Sequence, residues 1–499
     1  MINYTLVGFI IYLIGVLVAG VMTYKMNKTH EDYLIAGRKL NPWVVAFSER
    51  ASGESAWLLL GLPGLAMTVG LIGIWTALGC VMGIILSWFY IAKELRIQTE
   101  QYNSITLPNF FLEKTGGKSR AIPVLSMIII VFFFTFYLAA QFNGAGKVLK
   151  VTFGIEPFVG ALIGAVIIIF YTMMGGFFAV AWTDLIQGII MIATLIILPI
   201  AGMIELAEHG MSLSLALKNA NTAYIPIFGS NFQIIDWIHV TNNNFVSITG
   251  GKTGWALISI IIGGLSWGLG YFGQPHLLTR FMAIRSASEI KISRRIAIAW
   301  AIPAFAGAFA IGFVGLSLYG RIFADPEFLM PFIATKLLPS WIAGIFISGA
   351  VAAMMSTADS QLLVITSTVV EDFYHKALNK DVSQKKLLSL SRIVTVLIGI
   401  FGFILAVTSK KLIFSLVSYA WAGLGASFGP ALILMLKWKK TTSQGVLAGM
   451  ITGTMTTVIW SEIVFLDNFL SVRFTSFVFA FIAVIIVSIL TQEKTISNN

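Results

Sequence analysis

The sequence predicts an all-α integral membrane protein with about 13 transmembrane helices. Only 11% of its 499 residues are charged, less than half the share of about 25% found in an ordinary soluble domain. Apolar runs of about 18 residues or more, long enough to span a bilayer, recur along the chain. These observations exclude a soluble enzyme, a secreted disulfide scaffold and a disordered chain.

The apolar runs place the predicted spans in order. The first run has no basic residue before it and no small-residue cleavage pattern after it, so we expect a retained span and not a signal peptide. The polar stretch 205–253, with its asparagine run 242–244, is predicted as a loop. The predicted spans are 6–24, 43–69, 71–92, 122–145, 157–174, 184–204, 254–275, 296–319, 339–370, 393–407, 412–436, 445–460 and 469–490.

The basic residues predict the orientation of these spans. Most of the 33 Lys and Arg residues fall in one alternating set of loops, and cytoplasmic loops carry such an excess. We therefore expect the N-terminus outside and the C-terminus in the cytoplasm. The same bias accounts for the net charge of +11, so no nucleic-acid partner is expected.

Two predicted spans are interrupted by small and polar residues. The stretches 48–64 and 263–276 contain Trp57 and Trp267, and each ends in Gly and Pro residues that break helices. They run in opposite directions and lie five spans apart. Paired breaks in two inverted five-helix halves indicate the central binding site of a secondary transporter. The alternative is that these residues only allow close helix packing.

Charged residues within predicted spans are functional candidates, because a charge at the bilayer centre costs at least about 2.5 kcal/mol. The first broken span contains Glu49, Arg50 and Glu54, and the last two lie on one face of an intact helix. A structural ion pair is the alternative. Asp184 begins another predicted span, where a simple helix N-cap is an equal alternative.

A later span carries a face of hydroxyl groups. Ala353, Ser356, Thr357 and Ser360 follow helical spacing, and Asp359 lies at the edge of this face. Hydroxyls, a carboxylate and freed carbonyls form an oxygen-only environment that suits Na⁺. The alternative is that these hydroxyls bond to their own helix.

Motifs along nearly the whole chain resemble the sodium/solute symporter family, most closely its bacterial sodium/proline symporters. The most specific are 267–276 and 416–423, and the others are 32–38, 56–64, 133–137, 175–177, 182–184, 280–283, 355–357 and 361–363. The resemblance implies LeuT-type inverted five-helix repeats in a cell (cytoplasmic) membrane, with one extra N-terminal and two extra C-terminal helices. The implied segments are an N-terminal helix and cytoplasmic loop (1–42), a first repeat (43–206), an extracellular loop (207–253), a second repeat (254–436) and C-terminal helices with a short cytoplasmic tail (437–499).

The resemblance also implies site residues. Na⁺ ligands fall on the carbonyls of Ala51, Glu54 and Ala353 and on the hydroxyls of Ser356 and Thr357. The proline-binding positions fall on Trp57, Tyr137, Trp267, Tyr271 and Pro275, with Gln274 beside them. Positions that matter to coupling or gating fall on Arg38, Ser48, Ser55 and Asp184.

The chain departs from the proline symporters around its first break. Gly53 and Glu54 stand where those symporters have Asp and Met, Glu49-Arg50 replace two small residues, and Asp359 replaces a serine. Glu54 and Asp359, with Arg50, are therefore expected to hold the Na⁺, a second cation or a proton. Ser55, Asp184 and Ser360 are further candidates for coupling or for a second cation.

We therefore expect a symporter and not an enzyme, with Na⁺ as coupling ion, no organic cofactor and no required oligomer. Aromatic rings at the breaks suit an ammonium group, and freed amides at a half-helix N-terminus suit a carboxylate. A small zwitterion such as proline fits both. The alternatives are proton coupling, another small solute, a passive facilitator and a membrane sensor.

Overall fold

The computed structural model describes residues 4–24, 30–117, 119–213, 224–228, 234–239, 247–320, 325–378, 381–409 and 411–496. Within these ranges, 8 helices are long and apolar enough to cross a membrane, or up to 9 if each bent pair forms one span. The protein is therefore a multi-pass membrane protein. The count of about 13 spans and the division into two inverted repeats stay predictions, and the asparagine run 242–244 lies outside the described residues.

The α-helices of the described chain are α1 (Tyr4–Tyr24), α2 (His30–Ile35), α3 (Pro42–Ala56), α4 (Leu62–Val69), α5 (Ile74–Tyr90), α6 (Ala92–Gln101), α7 (Leu107–Lys114), α8 (Ala121–Phe153), α9 (Pro157–Glu208), α10 (Gly254–Leu265), α11 (Trp267–Gly270), α12 (Pro275–Ala283), α13 (Ile290–Tyr319), α14 (Leu329–Leu337), α15 (Ser340–Ser367), α16 (Gln384–Thr408), α17 (Ile413–Lys437), α18 (Ser443–Glu462), α19 (Val464–Phe469) and α20 (Val472–Ile496). Short 3₁₀ turns are Ala36–Arg38, Gly70–Gly73, Ala287–Glu289 and Pro326–Phe328, and π-helical segments are Trp57–Gly61 and Thr368–Leu378.

One element differs from a wholly helical chain. Strands β1 (Tyr224–Phe228) and β2 (Ile234–His239) pair antiparallel, with Tyr224 opposite His239 and an irregularity after Ile227. Both fall within the predicted loop 205–253. Their sequences are rich in aromatic and β-branched residues, which favour strands. This hairpin lies outside every predicted span, so it leaves the helical membrane core unchanged.

Local capping explains where the broken helix α3 begins. The Asn41 side chain accepts hydrogen bonds from the backbone amides of Trp43 and Val44, both at 3.0 Å. Pro42 occupies the first helical position, where its missing N–H costs no hydrogen bond. The helix therefore begins one residue before the predicted start of the span 43–69.

The predicted interruption of the first span is confirmed at Ser55. Its backbone angles, φ 49° and ψ −168°, are not helical, and the chain continues into the π-helical segment Trp57–Gly61. A serine at positive φ is uncommon and costs free energy, so the surrounding contacts hold this conformation.

The predicted interruption of the second span is confirmed between α11 and α12. The helical path bends by 44° between Gly270 and Pro275. Helices α11 and α5 cross at close range. A Cβ atom added to Gly83 of α5 would lie only 2.4 Å from the Cα atom of Gly268 of α11. Only glycine allows two helices to approach this closely.

A third interruption corrects one sequence-based alternative. Gly176 has φ 57° and ψ −170° and divides α9 into two helical parts. The second part therefore begins well before Asp184, and Asp184 is not an N-cap. It is an interior, fully buried residue of that helix.

Burial distinguishes the centre of the bundle from its periphery. In the most apolar 18-residue stretch of the segments containing α15 and α17, 83% and 89% are buried inside the protein. In the corresponding stretches of α16 and α20, only 28% and 33% are buried. Helices α15 and α17 therefore lie at the centre, and α16 and α20 face outward. The hydroxyl face of α15 is thus placed against protein.

Candidate functional site

Carbonyl and hydroxyl oxygens converge where α3 meets α15. The Ser356 hydroxyl donates to the Ala51 carbonyl at 3.0 Å and to the Ala353 carbonyl at 3.1 Å. The Thr357 hydroxyl donates to the Ser52 carbonyl at 2.9 Å. All of these residues are buried. We call them the oxygen cluster; it brings together four of the five predicted Na⁺ ligands.

Glu54, the fifth predicted ligand, is paired elsewhere. Its carbonyl accepts the Trp57 amide, and its carboxylate lies beside Arg50 and Tyr271. The competing interpretation, hydroxyls bonded to their own helix, holds for Ser360, which donates to the Ser356 carbonyl at 2.7 Å. The Ser356 hydroxyl bonds both within α15 and across to α3, and the Thr357 hydroxyl bonds across to α3, so neither interpretation alone covers all of these hydroxyls.

A buried arginine lies next to the oxygen cluster. Arg280 of α12 donates to the Ser48 hydroxyl at 3.1 Å and to the Ser52 hydroxyl at 2.7 Å. It also forms an ion pair with Asp184 at 3.1 Å and donates to the Ser360 hydroxyl. These five residues form the Arg280 cluster, which joins α3, α9, α12 and α15.

Two carboxylates at this cluster keep acceptor capacity. Asp184 accepts the Ser48 hydroxyl at 2.6 Å through Oδ2, while its Oδ1 is without a hydrogen-bond partner in the described part of the chain. Asp359 accepts the Ser360 hydroxyl at 3.1 Å through Oδ1, and its buried Oδ2 is likewise unpartnered there. Unpartnered carboxylate oxygens beside hydroxyls are hard ligands, which hard cations such as Na⁺ prefer.

The charged residues of the broken span form a second cluster. Arg50 pairs with the Glu54 carboxylate at 2.5 Å, as the spacing predicts, and also with the Glu49 carboxylate. The Trp88 indole donates to Glu49 at 3.0 Å, and the Tyr271 hydroxyl donates to Glu54 at 3.4 Å. We call these five residues the Arg50 cluster.

The two predicted acids Glu54 and Asp359 lie in different surroundings. Glu54 belongs to the Arg50 cluster, whereas Asp359 contacts the Arg280 cluster through Ser360. The two acids are therefore held by different partners, and their binding of a cation or a proton stays a prediction. Their positions on α3 and α15 direct them to different partners, which spacing within either helix does not reveal.

The predicted aromatic residues meet at the two breaks. The Trp57 and Trp267 rings stack with centroids 5.0 Å apart, and Phe414 lies 5.3 Å from Trp267. Both indole N–H groups are buried and unpartnered among the described residues. A buried donor without a partner is rare, so this stack presents two donors to a ligand.

Trp421, which is not among the predicted site residues, contacts both Tyr137 and Tyr271. The Trp421 ring lies 4.7 Å from Tyr271 and 6.3 Å from Tyr137. Its indole donates to the Trp267 carbonyl at 2.9 Å, and its own carbonyl accepts the Gln274 amide at 3.1 Å. We call Trp57, Tyr137, Trp267, Tyr271 and Trp421 the aromatic box.

Pro275 lines a narrow cavity to which none of the five box residues contributes. It begins α12, and Ser360, Thr279 and Thr106 line the same cavity. Arg38 is remote from the box, because its guanidinium donates to the carbonyls of Thr99, Ser104 and Met282. Burial, with a smaller contribution from the nearby positive charge of Arg96, lowers the pKa of Arg38.

Two freed amides of the first break have hydrogen-bond partners within the protein. The Ala56 amide donates to the Gln141 side chain at 3.1 Å, and the Trp57 amide donates to the Ser55 hydroxyl at 3.3 Å. The Ser55 hydroxyl also accepts from the Tyr137 hydroxyl at 3.4 Å. The Gln141 side chain on α8 and the Ser55 hydroxyl at the break itself therefore satisfy these two amides.

Sequence reasoning missed several residues of the site. Arg280 and Trp421 belong to motifs that carry the resemblance, so a signal existed, but no spacing rule connects them to α3 or α11. Ser52 and Gln141 carry no separate signal. Each of them contacts residues that are distant in the sequence: Gln141 accepts the Ala56 amide, and Ser52 accepts a hydrogen bond from Arg280.

The broken helices, the oxygen cluster and the aromatic box together define a membrane transporter with its site inside the helical bundle. The model of the family "Sodium:solute symporter family" matches residues 33–453. The chain belongs to the sodium:solute symporter family.

Named relatives and a solved structure agree with this assignment. The chain is 36% identical to the sodium/proline symporter of Escherichia coli K12, over 98% of this chain and 94% of that relative. It is 38% identical to the high-affinity proline transporter PutP of Bacillus subtilis 168, over 96% of each. A Na⁺-coupled sialic acid symporter in a substrate-bound outward-open state has a similar fold, with a TM-score of 0.73, 17% identity and 98% coverage of each chain.

Proposed function

We propose that this chain is a secondary active symporter that couples inward Na⁺ movement to uptake of proline by alternating access. The single observation that carries the proposal is the oxygen cluster, in which the Ser356 hydroxyl meets the Ala51 carbonyl 305 positions away. The relatives named as proline transporters support proline as the solute.

Na⁺ has a structural role in this proposal. It would bind between α3 and α15 through the Ala51 and Ala353 carbonyls and the Ser356 and Thr357 hydroxyls. Because these oxygens belong to two helices, a bound cation would hold the helices together and favour the state that accepts solute. The oxygen-only environment supports Na⁺ over a soft metal.

Proline would bind in the aromatic box. The rings of Trp57 and Trp267 offer an apolar surface for its ring, and aromatic faces attract an ammonium group. The two indole N–H groups and the Gln274 side-chain oxygen, all without a partner among the described residues, would supply polar contacts for its carboxylate and its ammonium group. We expect no organic cofactor.

The driving force is adequate for accumulation. One Na⁺ crossing about 100 mV releases about 2.3 kcal/mol, and a tenfold concentration gradient adds about 1.4 kcal/mol. Together these sustain a solute gradient of a few hundredfold. We propose a location in the bacterial cell membrane, with the N-terminus outside and the C-terminus in the cytoplasm.

Reconstituted uptake tests this function. The purified chain in proteoliposomes is given labelled L-proline, with Na⁺ and pH gradients imposed separately. We expect accumulation against a proline gradient only when Na⁺ is directed inward, and none in protein-free liposomes. Equilibration without accumulation would identify a passive facilitator, and binding without transport would identify a sensor; either result contradicts the proposal.

Proton coupling is a second candidate, favoured by the buried carboxylates of Glu54 and Asp359. It predicts uptake driven by a pH gradient in Na⁺-free buffer. Glu54→Gln and Asp359→Asn would each be tested for loss of that uptake. If Na⁺-driven uptake persists in both variants, the Na⁺ proposal stands.

A further inference from the structure

The narrow cavity that Pro275 lines extends along α15 away from the Arg280 cluster. Ser360 of that cluster lines one part of the cavity, and Thr368, the first residue of the π-helical segment, lines another. These two residues are eight positions apart, or about 12 Å along a regular helix. The cavity therefore provides a path from the Arg280 cluster to the end of α15.

This cavity lies on the side of the protein that the basic residues predict to be cytoplasmic. Each of the five chain segments that line it falls within, or at the edge of, a loop predicted on that side. The lining residues that show this are Leu34, Thr106, Phe177, Thr279 and Thr368. A cation that leaves the oxygen cluster towards the cytoplasm would therefore have this cavity on its way.

The size of the cavity limits what it can admit. Its volume is about 20 Å³, and a cavity needs at least about 10–15 Å³ to hold one water molecule. One water molecule or one bare cation fits this space, whereas an amino acid does not. In this structure the cavity is therefore a path for the ion and not for the solute.

A buried carboxylate lies just beyond Thr368. Asp372 is only 1% exposed, and its Oδ1 accepts the Thr106 hydroxyl at 2.6 Å. In the part of the chain that the structure describes, its Oδ2 has no hydrogen-bond partner and no basic side chain forms an ion pair with it. Lys376 pairs with Glu371 instead, at 3.6 Å. A buried carboxylate normally has a cationic partner, so Asp372 is suited to bind a cation.

Two hydroxyl groups extend the oxygen environment of this carboxylate. Thr368 is 1% exposed, lines the cavity and has a hydroxyl without a partner among the described residues. It precedes Asp372 by four positions, so both side chains lie on one side of the helical segment. The Thr106 hydroxyl is held in place, because it also accepts the Asn109 amide at 3.1 Å and caps α7. Carboxylate and hydroxyl oxygens suit a hard cation such as Na⁺.

We propose that Asp372, Thr368 and Thr106 form an inner cation site, which receives Na⁺ from the oxygen cluster and releases it to the cytoplasm. Asp372 lies 16 positions beyond Ser356, or about 24 Å along a regular helix, so the two sites are separate and Na⁺ can fill both. This inference rests on the proposed function. Loss of the Asp372 carboxylate should slow the release of Na⁺ and leave its binding at the oxygen cluster unchanged.

Binding of radiolabelled Na⁺ to the purified full chain in detergent tests the site directly. At saturation we expect two Na⁺ per wild-type chain, and one in Asp372→Asn. Ser356→Ala with Thr357→Ala should lose the other Na⁺ and keep the inner one. Thr368→Val keeps the shape of the side chain and should weaken binding of the inner Na⁺ about tenfold. A single Na⁺ per wild-type chain would overturn the inference. An unchanged stoichiometry in Asp372→Asn would also overturn it and would assign a proton to this carboxylate.

Glu371→Gln is the matched control for Asp372→Asn. It removes an acid one position away that already has His375 and Lys376 as partners. We therefore expect it to keep two Na⁺. Loss of one Na⁺ in Glu371→Gln as well would show a general effect of charge at this end of α15, and it would contradict the proposed site.

Transport assays separate release of Na⁺ from its binding. Proline exchange, with saturating Na⁺ and proline on both sides of the proteoliposome membrane, does not require Na⁺ to leave, whereas net uptake does. Asp372→Asn should lower net uptake about tenfold, as expected for one lost charged ligand, and leave exchange close to wild type. Normal net uptake, or an equal loss of exchange, would overturn the inference. The proposed function fails on a different result, namely a wild-type chain that does not accumulate proline.

Discussion

Two buried arginines neutralise carboxylates in this molecule in different ways. Both ion-pair partners of Arg50, Glu49 and Glu54, lie on its own helix α3. Arg280 pairs with Asp184, which lies 96 positions away on another helix. Both side chains are fully buried, so each charge depends on its partners.

The difference determines which cluster responds to helix movement. The Arg50 ion pairs move with α3 as one unit. The Arg280 contacts reach Ser52 on α3 and Ser360 on α15 as well as Asp184, so a shift between these helices breaks them. Ser52 also accepts the Thr357 hydroxyl through its carbonyl, which connects the Arg280 cluster to the oxygen cluster. The Arg280 cluster is therefore the one suited to report cation binding.

The largest expected effect is at the oxygen cluster. Ser356→Ala with Thr357→Ala removes the two α15 hydroxyls that donate to carbonyls of α3, so Na⁺-stimulated proline uptake into proteoliposomes should be abolished. The control is Ser348→Ala, whose hydroxyl bonds within α15 to the Gly344 carbonyl at 2.8 Å. Undiminished stimulation in the double variant would refute the proposed cation site.

Arg280→Gln should come next. It leaves the Asp184 carboxylate buried without its cation, which costs about 3–5 kcal/mol of folding free energy, and uptake should fall because the ion pair that joins α9 and α12 is lost. Adding Asp184→Asn removes the stranded charge and should recover stability, measured by thermal unfolding in detergent. If Arg280→Gln transports normally, the comparison between the two clusters fails.

Arg50→Met should mainly reduce stability. It leaves two carboxylates on one helix without a cation, at a cost of about 3 kcal/mol or more. The triple variant Glu49→Gln, Arg50→Met, Glu54→Gln has no charge left in the Arg50 cluster, and we expect it to regain most of the lost thermal stability and to retain Na⁺-driven uptake. A stable triple variant without uptake would show that the Arg50 cluster has a transport role.

The smallest expected effect is that of Trp421→Phe. It keeps an aromatic ring beside Tyr271 but removes the hydrogen bond to the Trp267 carbonyl, which is worth about 1 kcal/mol. Proline affinity should weaken by about fivefold, measured by equilibrium binding. The control is Trp341→Phe, at a residue that is 58% exposed. Equal changes of proline affinity in both variants would show that Trp421 has no part in binding proline.

The sequence predicted the broken helices better than their contacts. Gly, Pro and polar residues inside apolar runs identified both interruptions, because a bilayer excludes such breaks unless protein satisfies the backbone. The sequence did not identify Gln141 as the partner of the Ala56 amide, or Ser55 as the residue with non-helical angles. Both outcomes depend on where α8 lies against α3.

Composition and periodicity along the chain determined the membrane location, the two breaks and the hydroxyl face of α15, because these are local properties of the sequence. Packing alone decided that Arg280 enters beside that face, that Trp421 completes the aromatic box, and that Glu54 and Asp359 are held in separate surroundings. Each of these contacts joins helices distant in sequence, and the positions of those helices depend on how all of their buried surfaces fit together.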